Sequence, residues 1–275
     1  MTEAEAVARS PSLATVDSMV TELSALGVVE GSVVLVHSSL SSIGWVCGGA
    51  VAVVLALQRA VGDEGTLVMP AHSSDLSDPA KWDNPPVPHE WWDTIRASMP
   101  PFDRDLTPTR GMGAVAECFR RGPGVLRSEH PQVSFAARGP RAEWIVSAHS
   151  LADSLSERSP LARIYELDGE VLLLGVGHGS NTSLHLAEYR SGRAGPARNG
   201  APLVVDGARC WVEFEDVELD ASDFQLIGES FEREGRARRA RVGQAEALVA
   251  SQRALVDHAV EWMLENRPPV AAGGG

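Results

Sequence analysis

The sequence has few cysteines, few basic residues and no long hydrophobic segment. Its three cysteines, Cys47, Cys118 and Cys210, have no CxxC spacing, so neither a disulfide framework nor a zinc finger is expected, and a reducing setting is favoured. The main apolar run, residues 50–57, is too short to cross a bilayer. The N-terminal residues are acidic and lack the apolar core of a signal peptide. We therefore expect a soluble, cytoplasmic protein.

The shortage of basic residues gives the chain a strong negative charge. It has 24 lysines and arginines against 37 aspartates and glutamates, for a formal net charge of −13. Binding to phosphate backbones requires positive charge, so nucleic acid is a poor partner for the chain as a whole. An acidic surface concentrates cations, which favours a cationic small molecule as ligand, although solubility alone is the other explanation of the charge.

Several common catalytic signatures are also missing. The segment 34–49, VLVHSSLSSIGWVCGG, lacks the GK[ST] ending of a phosphate-binding loop and the GxSxG of a nucleophile elbow. Residues 175–181, GVGHGSN, contain GxG without the last glycine of a dinucleotide motif. The segment 178–188, HGSNTSLHLAE, has neither HxxxH nor HxxH spacing, so no metal site is predicted.

The pattern of the 275 residues, 44% of them hydrophobic, is typical of an α/β protein with a large core. Helices and short apolar strands alternate, which favours either one α/β unit or two closely packed lobes. The spacing predicts strands over 33–37, 66–70, 171–176 and 211–219, and helices over 12–26, 48–65, from about 182, and over 244–267. The basic run 232–243 is predicted as a solvated helix face, with contact to a phosphorylated cofactor as the alternative, and residues 268–275 as a disordered tail.

Residues 71–110 interrupt this alternation. The segment is rich in proline, tryptophan and aspartate and has little periodicity. Loops of this length in compact domains are usually lids or binding loops. The competing interpretation is a structural excursion that packs on its own tryptophans.

Two segments have the composition of a phosphate-binding turn. In 34–49 a strand ends at His37, serines follow, and Gly48 and Gly49 open a helix whose free N–H groups suit a phosphate. Ligands of open α/β sheets also bind at the carboxyl ends of strands. In 107–119 a turn with two prolines and two glycines offers Arg110 to a phosphate or carboxylate. An ordinary turn between strand and helix remains the alternative.

The segment 178–188 offers a candidate base. Asn181 or Thr182 can cap the helix that follows the strand, which puts His185 one turn inside, with Glu188 on the same face. A histidine there is well placed as a general base at the sheet edge, and a buried histidine held by a neighbour is the alternative. In the strand WVEFEDVEL, alternation places Glu213 and Glu215 on one face and Asp216 on the other.

Taken together, the segments resemble one family, the aminoglycoside 3-N-acetyltransferases within the antibiotic N-acetyltransferase group. The matching stretches cover most of residues 10–220 in the family's order: VLVHSSLSSIGWVCGG, GDEGTLVMPAHS, DNPPVPHEWWDTIRASMPPFD, TPTRGMGAVAECFRRGPGVLRSEHPQVSFAARG, SPLARIYELDG and LLLGVGHGSNTSLHLAEYRSG. The resemblance implies one catalytic domain over residues 1–275, with a central mixed sheet flanked by helices. It also implies transfer of acetyl from acetyl-coenzyme A to the 3-amino group of the 2-deoxystreptamine ring.

The resemblance also implies a role for particular residues. It makes His185 the general base, with Asp216 or Glu215 as its acidic partner. It assigns the coenzyme A site to His37, Ser38, Ser39, Leu40, Ser41, Cys47, Gly48, Gly49, Arg110, Gly111 and Met112. It makes the excursion the antibiotic cleft, for which we expect substrate contacts from His72, Asp75, Asp103, His178 and Glu188. Of these, His178 is either a substrate contact or a bystander, because many relatives have another residue there.

The chemistry of this assignment needs neither a metal nor a protein nucleophile. An amine protonated at neutral pH must lose a proton before it attacks a thioester, and a neutral imidazole backed by a carboxylate can take it. Backbone amides of the turn at Ser38–Ser41 are the expected oxyanion donors. Direct transfer in a ternary complex is therefore expected, with an acyl-Cys47 route as the minor alternative. The rival functions are acetylation of another small amine and non-catalytic binding of cationic small molecules. The sequence is compatible with a monomer and with a homodimer.

Overall fold

The chain folds around a mixed sheet, in a computed structural model that describes residues 5, 7, 8, 10 and 12–270. The strands are β1 Val33–Ser38, β2 Thr66–Pro70, β3 Leu126–Arg127, β4 Phe135–Arg138, β5 Glu170–Leu174, β6 Pro196–Val205, β7 Ala208–Val217, β8 Ala237–Val242 and β9 Ala245–Ser251. Seven of them form one sheet in the order β3-β4-β2-β1-β5-β9-β8, and β6 pairs with β7 in a separate ribbon. Of the predicted tail, residues 271–275 lie outside the described residues.

Helices and short turns connect the strands. The α-helices are α1 Val16–Leu26, α2 Leu40–Ile43, α3 Gly49–Val61, α4 Trp92–Ser98, α5 Gly113–Arg120, α6 Ala142–Val146, α7 Pro160–Glu166, α8 Ser183–Ser191, α9 Phe224–Arg233 and α10 Gln252–Asn266. Single 3₁₀ turns lie at Pro79–Lys81, His89–Trp91 and His178–Ser180. Within the described residues, no helix has the length and apolar character needed to span a membrane.

The centre of the sheet is parallel and its flanks are antiparallel. β1 runs parallel to β2 on one side and to β5 on the other, with His37 in register with Leu173. β4 and β9 then pair antiparallel to β2 and β5. The carboxyl ends of β1, β2 and β5 therefore meet at one edge, where sheets of this kind leave room for a ligand.

Both faces of the sheet are covered, because successive side chains of β1 point to opposite sides. Val34 and Val36 pack with α1, α3 and α5 in one core cluster, whereas Leu35 packs in the other with residues of α7 to α10. A strand buried on both faces needs the continuous apolar run that VVLV supplies. The predicted fold, a central mixed sheet flanked by helices, is confirmed.

Two predictions near the C-terminus are wrong. Residues 244–267 do not form one helix but the buried strand β9, followed by α10. The apolar run at 247–250 lies in the sheet between β5 and β8, and Ser251 caps α10 by accepting a hydrogen bond from the Ala254 N–H. Short apolar runs cannot be assigned to helix or strand from periodicity alone.

The basic run 232–243 is not a helix face either. Its second half is the edge strand β8, where Arg238, Arg239 and Arg241 form ion pairs with glutamates elsewhere in the chain. Charged side chains on an edge strand discourage pairing with another chain. The arginines of β8 are thus paired with carboxylates of the same protein.

Candidate active site

A cavity of about 840 Å³ opens at the carboxyl edge of the parallel strands. The ends of β1 and β2 form its floor, and the segments that follow β5 and precede α5 form its walls. This volume falls within the range of pockets that hold drug-sized ligands. The position is the one predicted from the order of strands and helices.

Many of the residues predicted to act together line this cavity. They are His37, Ser38, Ser39, Leu40, Ser41, Gly49, Gly111 and Met112 from the expected coenzyme A site, with His72 and the candidate base His185. They come from four separate parts of the chain that the sheet edge brings together. The cavity therefore joins the cofactor turn and the candidate base in a single space.

His185 reaches the cavity from the first turn of α8. The Ser183 N–H donates to Asn181 Oδ1 at 3.1 Å, which orders the turn before the helix. The ring packs edge-on against Phe224, with 4.8 Å between ring centroids, and 14% of the side chain is exposed. A ring held by packing and still open to the cavity has the accessibility that a base needs.

The hydrogen-bond partner of His185 is Glu188. Nδ1–H donates to Glu188 Oε2 at 2.6 Å, so Nε2 is the nitrogen left for the cavity. Glu188 is fully buried, and its other oxygen accepts from Arg267 at 2.6 Å and from the Asp220 N–H at 3.0 Å. The carboxylate is thus fixed by three donors. Glu188, predicted as a substrate contact, is not on the cavity wall and is bonded to the ring.

The expected partners of His185 lie elsewhere. Asp216 is buried, but it accepts from Ser154 Oγ at 2.6 Å and from the Tyr189 hydroxyl. Glu215 is exposed on the opposite face of β7, as alternation predicted. Neither Asp216 nor Glu215 is therefore bonded to His185; the carboxylate that is bonded to the ring is Glu188, three positions beyond it on the same helix face.

Two further histidines line the cavity and are held neutral. Burial, and next the charge of His185, lower the pKa of His37 to about 3. The same two causes, in the same order, lower the pKa of His72 well below its ordinary value. His37 Nε2 lies 3.3 Å from the Thr182 hydroxyl, which links the end of β1 to the start of α8. Neutral rings next to His185 can position or donate to a ligand but add no positive charge.

The two aspartates expected in the antibiotic cleft are bonded to other groups of the same protein. Asp75 forms a 2.7 Å ion pair with Arg110, the residue expected to bind phosphate, so the two groups neutralise each other. Asp103 accepts from the N–H groups of Asp105 and Leu106, both at 2.8 Å, and so orders its own turn. Asp75, Asp103 and Arg110 are not on the cavity wall.

His178 is buried against α9, outside the cavity. Its side chain is 1% exposed, it is not on the cavity wall, and Nε2–H donates to Glu232 at 3.1 Å. The ring lies against α9 so closely that a Cβ at Gly228 would come within 1.9 Å of it. Burial of the ring lowers the pKa of His178 despite this partner. Of the two interpretations of His178, the structure supports the bystander.

Besides Arg110, two predicted cofactor contacts, Cys47 and Gly48, are not on the cavity wall. Cys47 is exposed, and its N–H donates to Ala14 O at 2.9 Å, whereas Gly48 is the residue before α3, with φ +92°. The positive φ explains the glycine. Within the described ranges, no group of three or more histidines, cysteines, aspartates or glutamates is placed to hold a metal ion.

The sequence reasoning missed several wall residues and one important partner. The turn before α8 contributes Gly179, Ser180, Asn181 and Thr182 to the cavity wall, although the last two were predicted only as helix caps. Arg267, which holds Glu188, follows α10. No local pattern connects Arg267 with Glu188, because 79 positions separate them.

Comparison with known proteins gives one consistent family. The sequence profile described as Aminoglycoside 3-N-acetyltransferase matches residues 35–264. The chain is 48% identical, over 92% of its length and 93% of the other, to the SPbeta prophage-derived aminoglycoside N(3')-acetyltransferase-like protein YokD of Bacillus subtilis (strain 168). It is 35% identical over all of both chains to aminoglycoside N(3)-acetyltransferase VIII of Streptomyces fradiae.

Solved structures give the same result. The crystal structure of YokD superimposes with a TM-score of 0.94 and 46% identity, over 96% of this chain and 98% of the other. The binary complex of AAC-IIIb with CoASH superimposes with a TM-score of 0.83 and 30% identity, over 94% of this chain and 100% of the other. The likeness therefore extends over nearly the whole fold, including the strand edge that forms the cavity.

Proposed function

The chain belongs to the aminoglycoside 3-N-acetyltransferase family, and we propose that it transfers the acetyl group of acetyl-coenzyme A to the 3-amino group of the 2-deoxystreptamine ring of an aminoglycoside. Such a transfer would protect a cell from the antibiotic. The proposal rests above all on one observation, the hydrogen bond between His185, which faces the cavity, and the buried Glu188.

The first step is removal of a proton from the acceptor. The amine is protonated at neutral pH and cannot attack a carbonyl until a base takes the proton. His185 Nε2 is that base, because Glu188 accepts from Nδ1–H and so fixes the tautomer with a free electron pair on Nε2. The carboxylate also stabilises the imidazolium that forms.

The amine nitrogen then attacks the thioester carbon within a ternary complex. The new C–N bond forms a tetrahedral intermediate with an oxyanion and a positively charged nitrogen. It collapses as the C–S bond breaks, and the nitrogen gives its second proton to the departing coenzyme A thiolate. His185 releases the first proton to solvent, which leaves the amide, the free thiol and a neutral ring. Leu40 and Ser41 line the cavity at the start of α2, where the first N–H groups of a helix have no intrahelical acceptor, and they are the proposed oxyanion donors.

The cavity wall suits acetyl-coenzyme A as the acetyl donor. The serines that follow β1 line the cavity together with Gly49, and Gly111, Met112 and Gly113 line it before α5. Glycines let the backbone approach a ligand closely, and the apolar side chains suit a pantetheine arm. In this arrangement the thioester would lie between the serine turn and His185.

A mass measurement tests the proposal directly. The protein is incubated with acetyl-coenzyme A and a panel of aminoglycosides, and each product is weighed and its acetyl position assigned by NMR. A mass gain of one acetyl group on the 3-amino nitrogen supports the proposal. Tight binding without a mass gain would support sequestration of the antibiotic instead, and would refute catalysis. His185→Ala protein is the matched control for uncatalysed acetylation.

A second function, acetylation of a less cationic amine, is favoured by the charges around the cavity. None of the described residues that line it carries a carboxylate. The carboxylates expected to hold an aminoglycoside are bonded within the chain, Asp75 to Arg110 and Glu188 to Arg267. A polycation is bound best by free carboxylates. The cavity wall therefore has little negative charge with which to select a polycationic amine over a weakly charged one.

The salt dependence of KM separates the two functions. For a polycation held by surface carboxylates, KM for the amine rises steeply between low and physiological ionic strength, because exposed charges are screened. For a weakly charged amine, KM changes little. Measuring KM for aminoglycosides and for simple monoamines over the same salt series identifies which class the cleft selects.

A further inference from the structure

Arg267 makes an unusually complete set of contacts behind the candidate base. It donates to the buried Glu188 at 2.6 Å, to both oxygens of Asp223 at 2.7 and 2.6 Å, and to the Asp220 carbonyl at 2.8 Å. Only 11% of its side chain is exposed. Hydrogen bonding to Asp223 first, and next to Glu188, raises the pKa of Arg267 above its ordinary value despite its burial. The guanidinium is therefore a fixed positive charge.

We propose that Arg267 is a positioning residue for the transfer reaction, acting on His185 through Glu188. This inference rests on the proposed role of His185 as base. Arg267 does not line the cavity, so the proposed role is one of positioning rather than of contact with the reacting groups. Its function is to hold one carboxylate oxygen so that the other remains ionised and aimed at Nδ1.

The physical reason is the burial of Glu188. A fully buried carboxylate is costly unless its charge is paired and its oxygens accept hydrogen bonds. Without Arg267, the charge of Glu188 is less well compensated, so the carboxylate binds the imidazolium of His185 more strongly. Less neutral His185 is then present at a given pH, so turnover falls and its acid limb moves to higher pH.

Several other charged or titratable groups lie near His185 and also influence its protonation. His37 and His72 face it from the ends of β1 and β2, and both are held neutral by burial, which lowers the pKa of each. Glu188 lies on the same helix, α8, and Asp220 lies in the segment before α9. Arg267 is thus the cation joined to this group through Glu188, and Asp223 anchors it.

A second histidine–glutamate–arginine series of hydrogen bonds in the same protein provides the control. His178 Nε2–H donates to Glu232, which in turn accepts from Arg239 Nη2 at 2.7 Å. His178 is buried against α9 and is not on the cavity wall. Arg239→Met removes the arginine from this series and leaves the cavity wall unchanged. Arg267→Met removes the arginine from the series that includes His185.

The experiment compares Arg267→Met, Arg267→Lys, Asp223→Asn and Arg239→Met with the wild-type chain. Each variant is checked by thermal unfolding, and then kcat, KM for acetyl-coenzyme A and the pH dependence of kcat/KM are measured. In Arg267→Met we expect kcat to fall by about 10²-fold, as for misplacement of a catalytic group. KM for acetyl-coenzyme A should stay within about twofold, because only the chemical step is affected.

The ring of His185 is also titrated by NMR in 15N-histidine-labelled protein, with the signal assigned through His185→Gln. Loss of the Arg267 charge should raise the titration midpoint by about one pH unit. Lysine keeps the charge but not the forked bond to Asp223, so Arg267→Lys should recover part of the activity. Asp223→Asn removes an anchor of Arg267 but keeps the Arg267 charge, so it should lower kcat by less than Arg267→Met, and Arg239→Met should change neither kcat nor the midpoint.

A folded Arg267→Met protein whose kcat and His185 midpoint match those of Arg239→Met overturns the proposal. If Arg267→Met does not fold, Arg267→Lys and Asp223→Asn decide, and a kcat in both that matches that of Arg239→Met overturns it. If the wild-type chain acetylates no aminoglycoside, the proposed function fails. The NMR titration still reports whether Arg267 controls the His185 ring.

Discussion

His185 and Glu188 lie one helical turn apart on α8, and a 2.6 Å hydrogen bond joins Nδ1 of the ring to Oε2 of the carboxylate. The ring is partly open to the cavity, whereas the carboxylate is fully buried. The pair therefore combines an accessible base with a protected partner. The first two predictions test the two members of this pair.

Replacing His185 removes the proposed base. His185→Ala should lower kcat by on the order of 10²–10⁴-fold, the usual contribution of a general base. KM for acetyl-coenzyme A should change little, because other groups form the cofactor wall. Steady-state kinetics on protein shown to be folded by circular dichroism measures both. His178→Gln is the comparison: it removes a buried histidine outside the cavity, and should lower stability but leave kcat of the folded protein unchanged.

Replacing the carboxylate distinguishes the observed orienter from the residue expected from the sequence. Glu188→Gln keeps the shape but loses the charge that favours the correct tautomer and stabilises the imidazolium, so kcat should fall by on the order of 10²–10⁴-fold. Asp216→Asn should instead cost roughly 1–3 kcal/mol of unfolding free energy, because Asp216 accepts from Ser154 and Tyr189 within the core. Denaturant titration and kinetics on both variants give the comparison. A large kcat loss in Asp216→Asn alone would return the role of orienter to Asp216.

The mechanism also predicts that Cys47 is dispensable. The thiol is exposed and is not on the cavity wall. Cys47→Ala should therefore keep turnover within about twofold of the wild-type value, since only groups that act in the transition state change kcat strongly. Rapid quenching after mixing with acetyl-coenzyme A alone, followed by mass measurement, provides the opposing test. An acetylated wild-type protein together with an inactive Cys47→Ala variant would establish the covalent route instead.

The sequence was most informative where the function depends on local spacing. A buried strand, a polar turn and a helix predicted the location of His185, and the i,i+3 spacing placed Glu188 beside it. Alternation along β7 correctly separated Asp216 from Glu215, but it could not show what the buried carboxylate binds. That required the packing of β7 against Tyr189 of α8 and Ser154. Contacts between distant segments, such as Arg267 with Glu188, leave no local pattern.

The same limit explains the errors in the fold. The run AEALVAS precedes a true helix without a proline or glycine between them, so strand and helix merge into one apparent helical segment. The strand is distinguished from the helix by its pairing with β5, whose residues lie between 73 and 81 positions earlier along the chain. The arginines of β8 likewise suggested a solvated helix until the sheet edge placed each of them beside a glutamate.

The last prediction concerns stability in mild acid and follows from three buried histidines. Burial is the first cause in each case, and lowers the pKa of His37 to about 3, of His130 to about 4 and of His149 to about 3. In the unfolded chain a histidine titrates near 6.5, so between about pH 6.5 and 4 the unfolded state binds protons that the folded state does not. The part of the unfolding free energy that comes from keeping these three rings neutral is therefore fully present above pH 6.5 and is lost as the pH falls.

Each of these histidines should contribute a slope of about 1.4 kcal/mol per pH unit at the steepest part of that window. Urea unfolding at pH 7, 6 and 5 measures the combined slope. His149→Gln removes one titrating group: its Nε2–H donates to Ser154 O at 2.6 Å and its Nδ1 accepts from Ser128. The variant should be less stable at pH 7 but lose less stability on acidification than the wild-type chain. Parallel curves for the two proteins would show that His149 is not held neutral by the fold.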